Sequence, residues 1–213
     1  MSDKSLVIGL TGNIATGKST ILKYLSEKCA AIIDADKLAH RVMEPGGAAY
    51  DAVVRVFGTA ILAEDRTIDR KKLAQIVFSN PIELGKLEKL VHPKVFELGR
   101  QEIEKAESPL VVLEAIKLLE AGLMVTLCDE VWVVTSNFAN QLKRLLEFRG
   151  MDEERARQII NIQPPQAAKI NQADRVIDNN GTLEELYAQL DAIWNDLLKR
   201  YPARMGALVN SSR

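Results

Sequence analysis

The 213-residue chain, 47% hydrophobic and 27% charged, has the length and apolar content for one α/β domain with a full core and room for inserted subdomains. Its 28 basic and 29 acidic side chains leave a formal charge of −1, which excludes a general electrostatic pull toward nucleic acid or an anionic membrane surface. No apolar run approaches the ~18 to 20 residues that span a bilayer. The isolated Cys29 and Cys128, with His40 and His92, supply neither a zinc spacing nor a histidine-based hydrolase.

Met1-Ser2-Asp3-Lys4 leads straight into an apolar run without a signal-peptide layout, so a cytoplasmic protein is expected, with both cysteines in or near the core. The run Leu6-Val7-Ile8-Gly9-Leu10-Thr11 reads as a buried strand and breaks into Gly12-Asn13-Ile14-Ala15-Thr16-Gly17-Lys18-Ser19-Thr20, after which an apolar helical pattern resumes. Gly12 to Ser19 fits G-x-x-x-x-G-K-[ST], the loop whose backbone N–H groups curl around a phosphate chain at a helix N-terminus. Lys18 is expected to reach the β- and γ-phosphates and the Ser19 hydroxyl to hold Mg²⁺, with Thr20 on the α-phosphate or simply opening the helix. The dinucleotide pattern G-x-G-x-x-G is absent, so a nucleoside triphosphate is the expected ligand.

Ala30-Ala31-Ile32-Ile33 reads as a second strand ending at Asp34-Ala35-Asp36. Ligands sit outside the C-terminal ends of parallel strands, which puts both carboxylates on the functional rim. Asp34 can there orient or deprotonate an attacking hydroxyl; alternatively Asp34 or Asp36 only caps the helix beginning near Lys37. From Ala48 to about Ala106 the pattern is helical almost throughout, with turns at Asp65-Arg66-Thr67 and Ser79-Asn80-Pro81, which suggests an inserted helical subdomain. Pro93, after His92, is expected to kink or restart its helix. Arg70 is either an exposed helix-start charge or a ligand group.

Leu110-Val111-Val112-Leu113 predicts a third strand, with Glu114 at its end where a carboxylate assisting Mg²⁺ is expected; Glu120 closes a short helical run. Val131-Trp132-Val133-Val134 predicts a fourth strand, followed by a helix from Asn140 to Phe148 that Gly150 stops, and another from Glu153 to Ile162 that Asp152 caps. Their arginines suggest a cover over the triphosphate, or else two solvated helices of balanced charge. Arg175-Val176-Ile177 predicts a fifth strand ending at Asp178-Asn179-Asn180-Gly181, and Thr182 to Leu198 a closing amphipathic helix. The tail, 201–213, shows no convincing period and is expected to be frayed.

Together, Thr11-Gly12-Asn13-Ile14-Ala15-Thr16-Gly17-Lys18-Ser19, Ile33-Asp34-Ala35-Asp36, His92-Pro93, Gln141-Leu142-Lys143-Arg144 and Val176-Ile177-Asp178-Asn179-Asn180-Gly181 resemble the dephospho-CoA kinase family over about residues 5 to 198. The resemblance implies an α/β P-loop kinase: a five-stranded parallel sheet flanked by helices (core about 5–40, 108–136 and 174–200), a helical CoA-binding subdomain (about 41–107) and a lid (about 140–173). It implies transfer of the ATP γ-phosphoryl group to the 3′-hydroxyl of the dephospho-CoA ribose, with Mg²⁺ and no nucleic-acid or membrane partner. Carried over by position, Asp34 is the catalytic base, Lys18 the phosphate ligand, Arg144 a lid arginine, and Asn179 an adenine contact. Asp34, Asp36, His40, Arg70, His92 and Glu120 fall on the acceptor side, and Arg149 and Lys169 are further candidates for closing on ATP.

The chain departs from the family pattern at Asn13 and Ala15, which replace glycines and should stiffen the loop while leaving its backbone donors available. Glu114-Ala115-Ile116-Lys117-Leu118-Leu119-Glu120 stands where many members read Asp-x-Pro-Leu-Leu-Phe-Glu. Other P-loop small-molecule kinases, of nucleoside, nucleotide or shikimate type, and a non-catalytic nucleotide-binding regulator remain alternatives. A GTP switch is disfavoured because Asn-Lys-x-Asp is missing.

Overall fold

Five short runs rich in Val, Ile and Leu form strands: β1 (Leu6–Thr11), β2 (Ala31–Asp34), β3 (Leu110–Glu114), β4 (Glu130–Thr135) and β5 (Arg175–Asp178). The computed structural model describes residues 5–120 and 122–210, with side chains through 206; the approach Met1-Ser2-Asp3-Lys4 and residues 211–213 lie outside them. The connecting helices are α1 (Lys18–Glu27), α2 (Ala35–Val42), α3 (Tyr50–Phe57), α4 (Arg70–Phe78), α5 (Pro81–Lys105), α6 (Phe138–Arg149), α7 (Glu153–Asn161), α8 (Gln166–Ile170), α9 (Leu183–Arg200) and α10 (Pro202–Asn210).

The sheet order is β2-β3-β1-β4-β5, and β1 pairs in parallel with β3 (Leu6 opposite Leu110) and with β4 (Ile8 opposite Glu130). Its strands read as continuous apolar runs because helices cover both faces, and β1 is buried at every position. The chain crosses to β3 on one side of β1 and to β4 on the other. This topological switch opens at the C-terminal end of β1, where the glycine loop begins.

Two compact units share the chain, one made of Met1–Ile33 with Ile103–Arg213 and the other of Asp34–Glu102. The first is built around a core that includes Leu6, Ile8, Leu10, Ile21, Trp132 and Leu190. Its closing helix α9 starts in a reciprocal cap, with Thr182 Oγ1 accepting from Glu185 N and Glu185 Oε2 accepting from Thr182 N. Beyond it the expected frayed tail is instead α10 as far as Asn210, because Met205 drops fully into the core and Tyr201 reaches Glu130.

Glu130 is 2% exposed, a position that would expel a lone carboxylate. Here Arg175 Nε donates at 2.8 Å, Arg200 Nη1 at 2.6 Å, Trp132 Nε1 at 3.0 Å and the Tyr201 hydroxyl at 3.0 Å. Burial raises its pKa, but the bonds from Arg175, Trp132 and Tyr201 outweigh that and hold the carboxyl below the usual glutamate range. The cluster ties β4 and β5 to the end of α9.

In the second unit, the expectation of helix nearly throughout is corrected between α3 and α4. Gly58 ends α3, Thr59–Ile61 forms a single 3-10 turn, and Leu62 and Ile68 make an antiparallel bridge. Asp69 then caps α4 by accepting from the N–H groups of Lys71 and Lys72. Pro93 does not restart its helix: α5 runs unbroken from Pro81 to Lys105, losing one backbone donor. The cysteine expectation is corrected too. Cys29 is exposed in a left-handed turn after α1 (φ 63°), whereas burial pushes the Cys128 thiol up to about 12.

Candidate nucleotide-binding site

The loop owes its shape to two close backbone approaches. A Cβ on Gly12 would lie 2.5 Å from the Val134 carbonyl oxygen, and one on Gly17 (φ 99°) would lie 2.0 Å from Asn179 Nδ2, so neither position accepts a side chain. Between them Thr16 Oγ1 donates to the Asn13 carbonyl at 3.0 Å, closing the loop on itself. Asn179 Nδ2 donates to the Thr16 carbonyl at 2.8 Å, so the end of β5 fixes the loop from behind. Ala15, at φ 55°, holds a left-handed conformation that costs a Cβ-bearing residue about 1–2 kcal/mol. Lys18 and Ser19 open α1, whose positive dipole end lies at the loop.

Lys18 Nζ donates to the Gly12 carbonyl at 2.9 Å and lies 3.7 Å from Glu114 Oε1 at the end of β3, bringing two of the predicted residues together. Arg144, on α6, has an unusual set of partners. Its Nη1 donates to the Ala15 carbonyl (3.0 Å) and to Ser136 Oγ (2.9 Å), and its Nη2 to the Asn179 carbonyl (2.9 Å). Those acceptors are all neutral, and burial pulls the guanidinium below its usual range. A cation is thus held beside the loop by dipoles rather than by a counter-charge, which suits the arrival of an anion.

One expectation for the loop is corrected. Its backbone donors are not all available, because Gln163 Oε1 accepts from Ile14 N–H at 2.7 Å; beside it the Asn13 side chain donates through Nδ2 to the Pro164 carbonyl at 3.0 Å. Lys169 is also committed elsewhere: 3% exposed, it donates to the Ile116 carbonyl at 2.8 Å and to Glu120 Oε1 at 2.6 Å. That makes Glu120 part of an ion pair in a non-helical turn, not the end of a helix. Arg149 is exposed in the last turn of α6, and Arg157 pairs with Glu153 within α7.

In the second unit, Asp34 ends β2 and caps α2, its Oδ1 accepting from Lys37 N at 3.0 Å while Oδ2 lies 3.5 Å from Lys37 Nζ. The helix begins at Ala35, earlier than expected, and Asp36 is exposed in its first turn. Arg70 Nη1 and His40 Nε2 meet at 3.0 Å on the wall of a cavity of about 420 Å³, lined also by Glu44 and Thr67 and by apolar groups such as Met43, Ile68, Leu73 and Phe78. His92 is half-buried within α5 and is not among the lining residues.

Ser136, Gln163 and Gln166 were not among the residues singled out from the sequence, and Gln141 entered only within the resemblance motif that carries Arg144; together they form the frame around Arg144 and the loop. Gln141 Nε2 donates to the Ser136 carbonyl at 2.6 Å, and Gln166 bonds both Ser136 N and its carbonyl oxygen. Gln163 and Gln166 reach partners tens of residues away, on Ile14 and Ser136, and Ser136 Oγ donates to the Asn179 carbonyl.

Comparisons with known proteins give a consistent picture. A family model described as dephospho-CoA kinase matches residues 6–185. The dephospho-CoA kinase of Geobacter metallireducens is 42% identical over 200 residues, covering 92% of this chain and 99% of its own. Among solved structures, TT1252 from Thermus thermophilus superposes with a TM-score of 0.78 at 33% identity, covering 91% of this chain and 98% of that one. The dephospho-CoA kinase from Campylobacter jejuni superposes with a TM-score of 0.67 at 26% identity, covering 91% and 97%.

Proposed function

Because the chain belongs to the dephospho-CoA kinase family, we propose that it transfers the γ-phosphoryl group of ATP to the 3′-hydroxyl of the ribose of dephospho-CoA, giving coenzyme A and ADP. The observation that supports this most directly is the glycine loop closed by Thr16 and backed by Arg144, a cation bonded only to neutral acceptors beside an array of N–H donors. Such an array favours an incoming polyphosphate over any neutral ligand.

In this reading the loop from Gly12 to Thr20 holds the phosphate chain. Lys18 turns from the Gly12 carbonyl onto the β- and γ-phosphates, where it offsets charge as the bond to the leaving oxygen lengthens. Arg144 supplies the second positive charge, Arg149 closes over the nucleotide, and Asn179 borders the adenine. Asp34 accepts the proton of the ribose hydroxyl as it attacks in line, the base role that a carboxylate at a strand end can fill. Asp36, His40, Arg70, His92 and Glu120 serve the acceptor; the guanidinium–imidazole pair of Arg70 and His40 offers donors suited to a phosphate or carbonyl group of a long, partly apolar molecule.

The Ser19 hydroxyl and the Glu114 carboxylate are hard oxygen donors, the kind Mg²⁺ takes together with phosphate oxygens and water. Among the described residues no cluster of three or more His, Cys, Asp or Glu could hold a metal by itself, which fits an ion carried mainly by the nucleotide. Bound there, it would neutralise phosphate charge. No helix among the described residues is long and apolar enough to cross a membrane. We place the enzyme in the cytoplasm, in keeping with two cysteines that are both free thiols.

The test is ADP release from ATP with dephospho-CoA as acceptor, the product identified by mass and by the position of its new phosphate. Product bearing a 3′-phosphate supports the reading. Phosphorylation of a nucleoside or of shikimate, with dephospho-CoA untouched, overturns it.

A further inference from the structure

The turn between α7 and α8 carries a contact that the proposed reaction does not explain. Gln163 Oε1 accepts from Ile14 N–H at 2.7 Å, so a neutral carboxamide sits on an amide donor of the phosphate loop. The group is oriented from its other end, where Nε2 donates to the Ile159 carbonyl at 3.0 Å. The neighbouring tie from Asn13 Nδ2 to the Pro164 carbonyl holds the same turn against the same loop.

We infer that Gln163 is a residue of the nucleotide site whose carboxamide competes with a phosphate oxygen for Ile14 N–H, so that nucleotide binding and displacement of the Gln163 side chain from the loop are one event. The inference rests on the loop being a nucleotide cradle. A charged phosphate oxygen makes a bond to a backbone N–H roughly twice as strong as a neutral amide does, so phosphate wins the exchange. The exchange still costs the bond that Gln163 gives up, and affinity is reduced by that amount.

What moves is limited by what stays. Gln166 is doubly bonded to the Ser136 backbone, and Lys169 is anchored on Ile116 and Glu120, none of which are loop donors. Displacing Gln163 therefore frees that side chain alone, while Asn13 Nδ2 still holds the Pro164 carbonyl and α8 keeps its footing.

The experiment is calorimetric titration of the full chain with ADP and with a non-hydrolysable ATP analogue, no acceptor being present. Gln163→Leu keeps the bulk and removes the competing oxygen; the ATP analogue is expected to bind about three- to tenfold more tightly than to the unsubstituted chain. Gln163→Glu keeps an acceptor on Ile14 N–H but sets a negative charge against the phosphates, and about tenfold weaker binding is expected. Unchanged or weaker binding by Gln163→Leu overturns the inference. Should that variant fail to fold, unchanged binding by Gln163→Glu does the same. An unsubstituted chain that binds neither nucleotide overturns the nucleotide-site reading itself, a separate failure from either of these.

Discussion

Two charges in the first unit, Glu130 buried and Arg144 half-buried, sit in opposite kinds of environment. Glu130, 2% exposed, is surrounded by two guanidiniums, an indole N–H and a phenol, and each of its oxygens is satisfied. Arg144 is held by two backbone carbonyls and a serine hydroxyl, neutral groups that position it without cancelling its charge. The first arrangement fastens the end of α9 to the sheet. The second stores a positive field beside a ring of N–H donors, and this difference separates a charge that serves the fold from one set aside for a ligand.

The contrast can be tested through substitutions that should divide cleanly between activity and stability. The largest effect is expected at Asp34, which gives one oxygen to the cap of α2 and pairs only loosely with Lys37. Asp34→Asn keeps a capping oxygen, so folding should survive, whereas loss of the base should lower kcat by about 10²–10⁴ with ATP affinity nearly unchanged. Near-normal turnover in that variant would leave Asp34 as a cap alone.

Arg144→Met should come next, lowering kcat/KM for ATP by about 10²–10³ while the melting temperature moves little. A large drop in melting temperature with kcat/KM retained would place Arg144 in the same class as Glu130. Glu130→Gln should show the mirror-image result. It leaves Arg175 and Arg200 without a charged partner on β4 and should cost about 3 kcal/mol in urea unfolding, with turnover of the folded enzyme preserved.

The smallest effect is one of pH. Glu130 has a carboxyl held below its ordinary value, so its contribution to stability is complete above the unfolded-state pKa and is lost as pH falls through the lower folded-state value. The unfolding midpoint of the unsubstituted chain should therefore fall on acidification below the ordinary glutamate range more steeply than that of Glu130→Gln. Parallel acid profiles for the two proteins would show that the cluster does not bind Glu130 more strongly than solvent does.

The strands were legible in the sequence because a parallel sheet buried on both faces demands unbroken Val, Ile and Leu runs, and Leu110-Val111-Val112-Leu113 has no other use. The loop was legible because two glycines, a lysine and a serine at fixed spacing encode its backbone. The arginines of α6 and α7 suggested a cover over the triphosphate, and the family resemblance then singled out Arg144; no local pattern says that its guanidinium lands on Ala15 and Asn179. Apart from Gln141, carried by the same motif as Arg144, the frame of Ser136, Gln163 and Gln166 was not readable, since a glutamine looks the same in sequence whether it faces water or a distant backbone group. The helix α10 was missed because nine residues interrupted by Gly206 carry little period, and Met205 is defined by the core it enters. At Gly58–Asp69 helical periodicity persisted across a segment that turns back on itself, held by the Ala63 N–H bond to the Thr67 carbonyl.

The grip of Asn179 on Thr16, with Arg144 on Ala15, has a consequence for the order in which the molecule is made. Residues 12–20 spell out the anion pocket, yet its rear wall is supplied by Asn179, 163 residues after the Thr16 it holds. A growing chain on the ribosome therefore cannot use cellular ATP as an early folding aid, because the N-terminal segment has no finished pocket until the last strand has emerged.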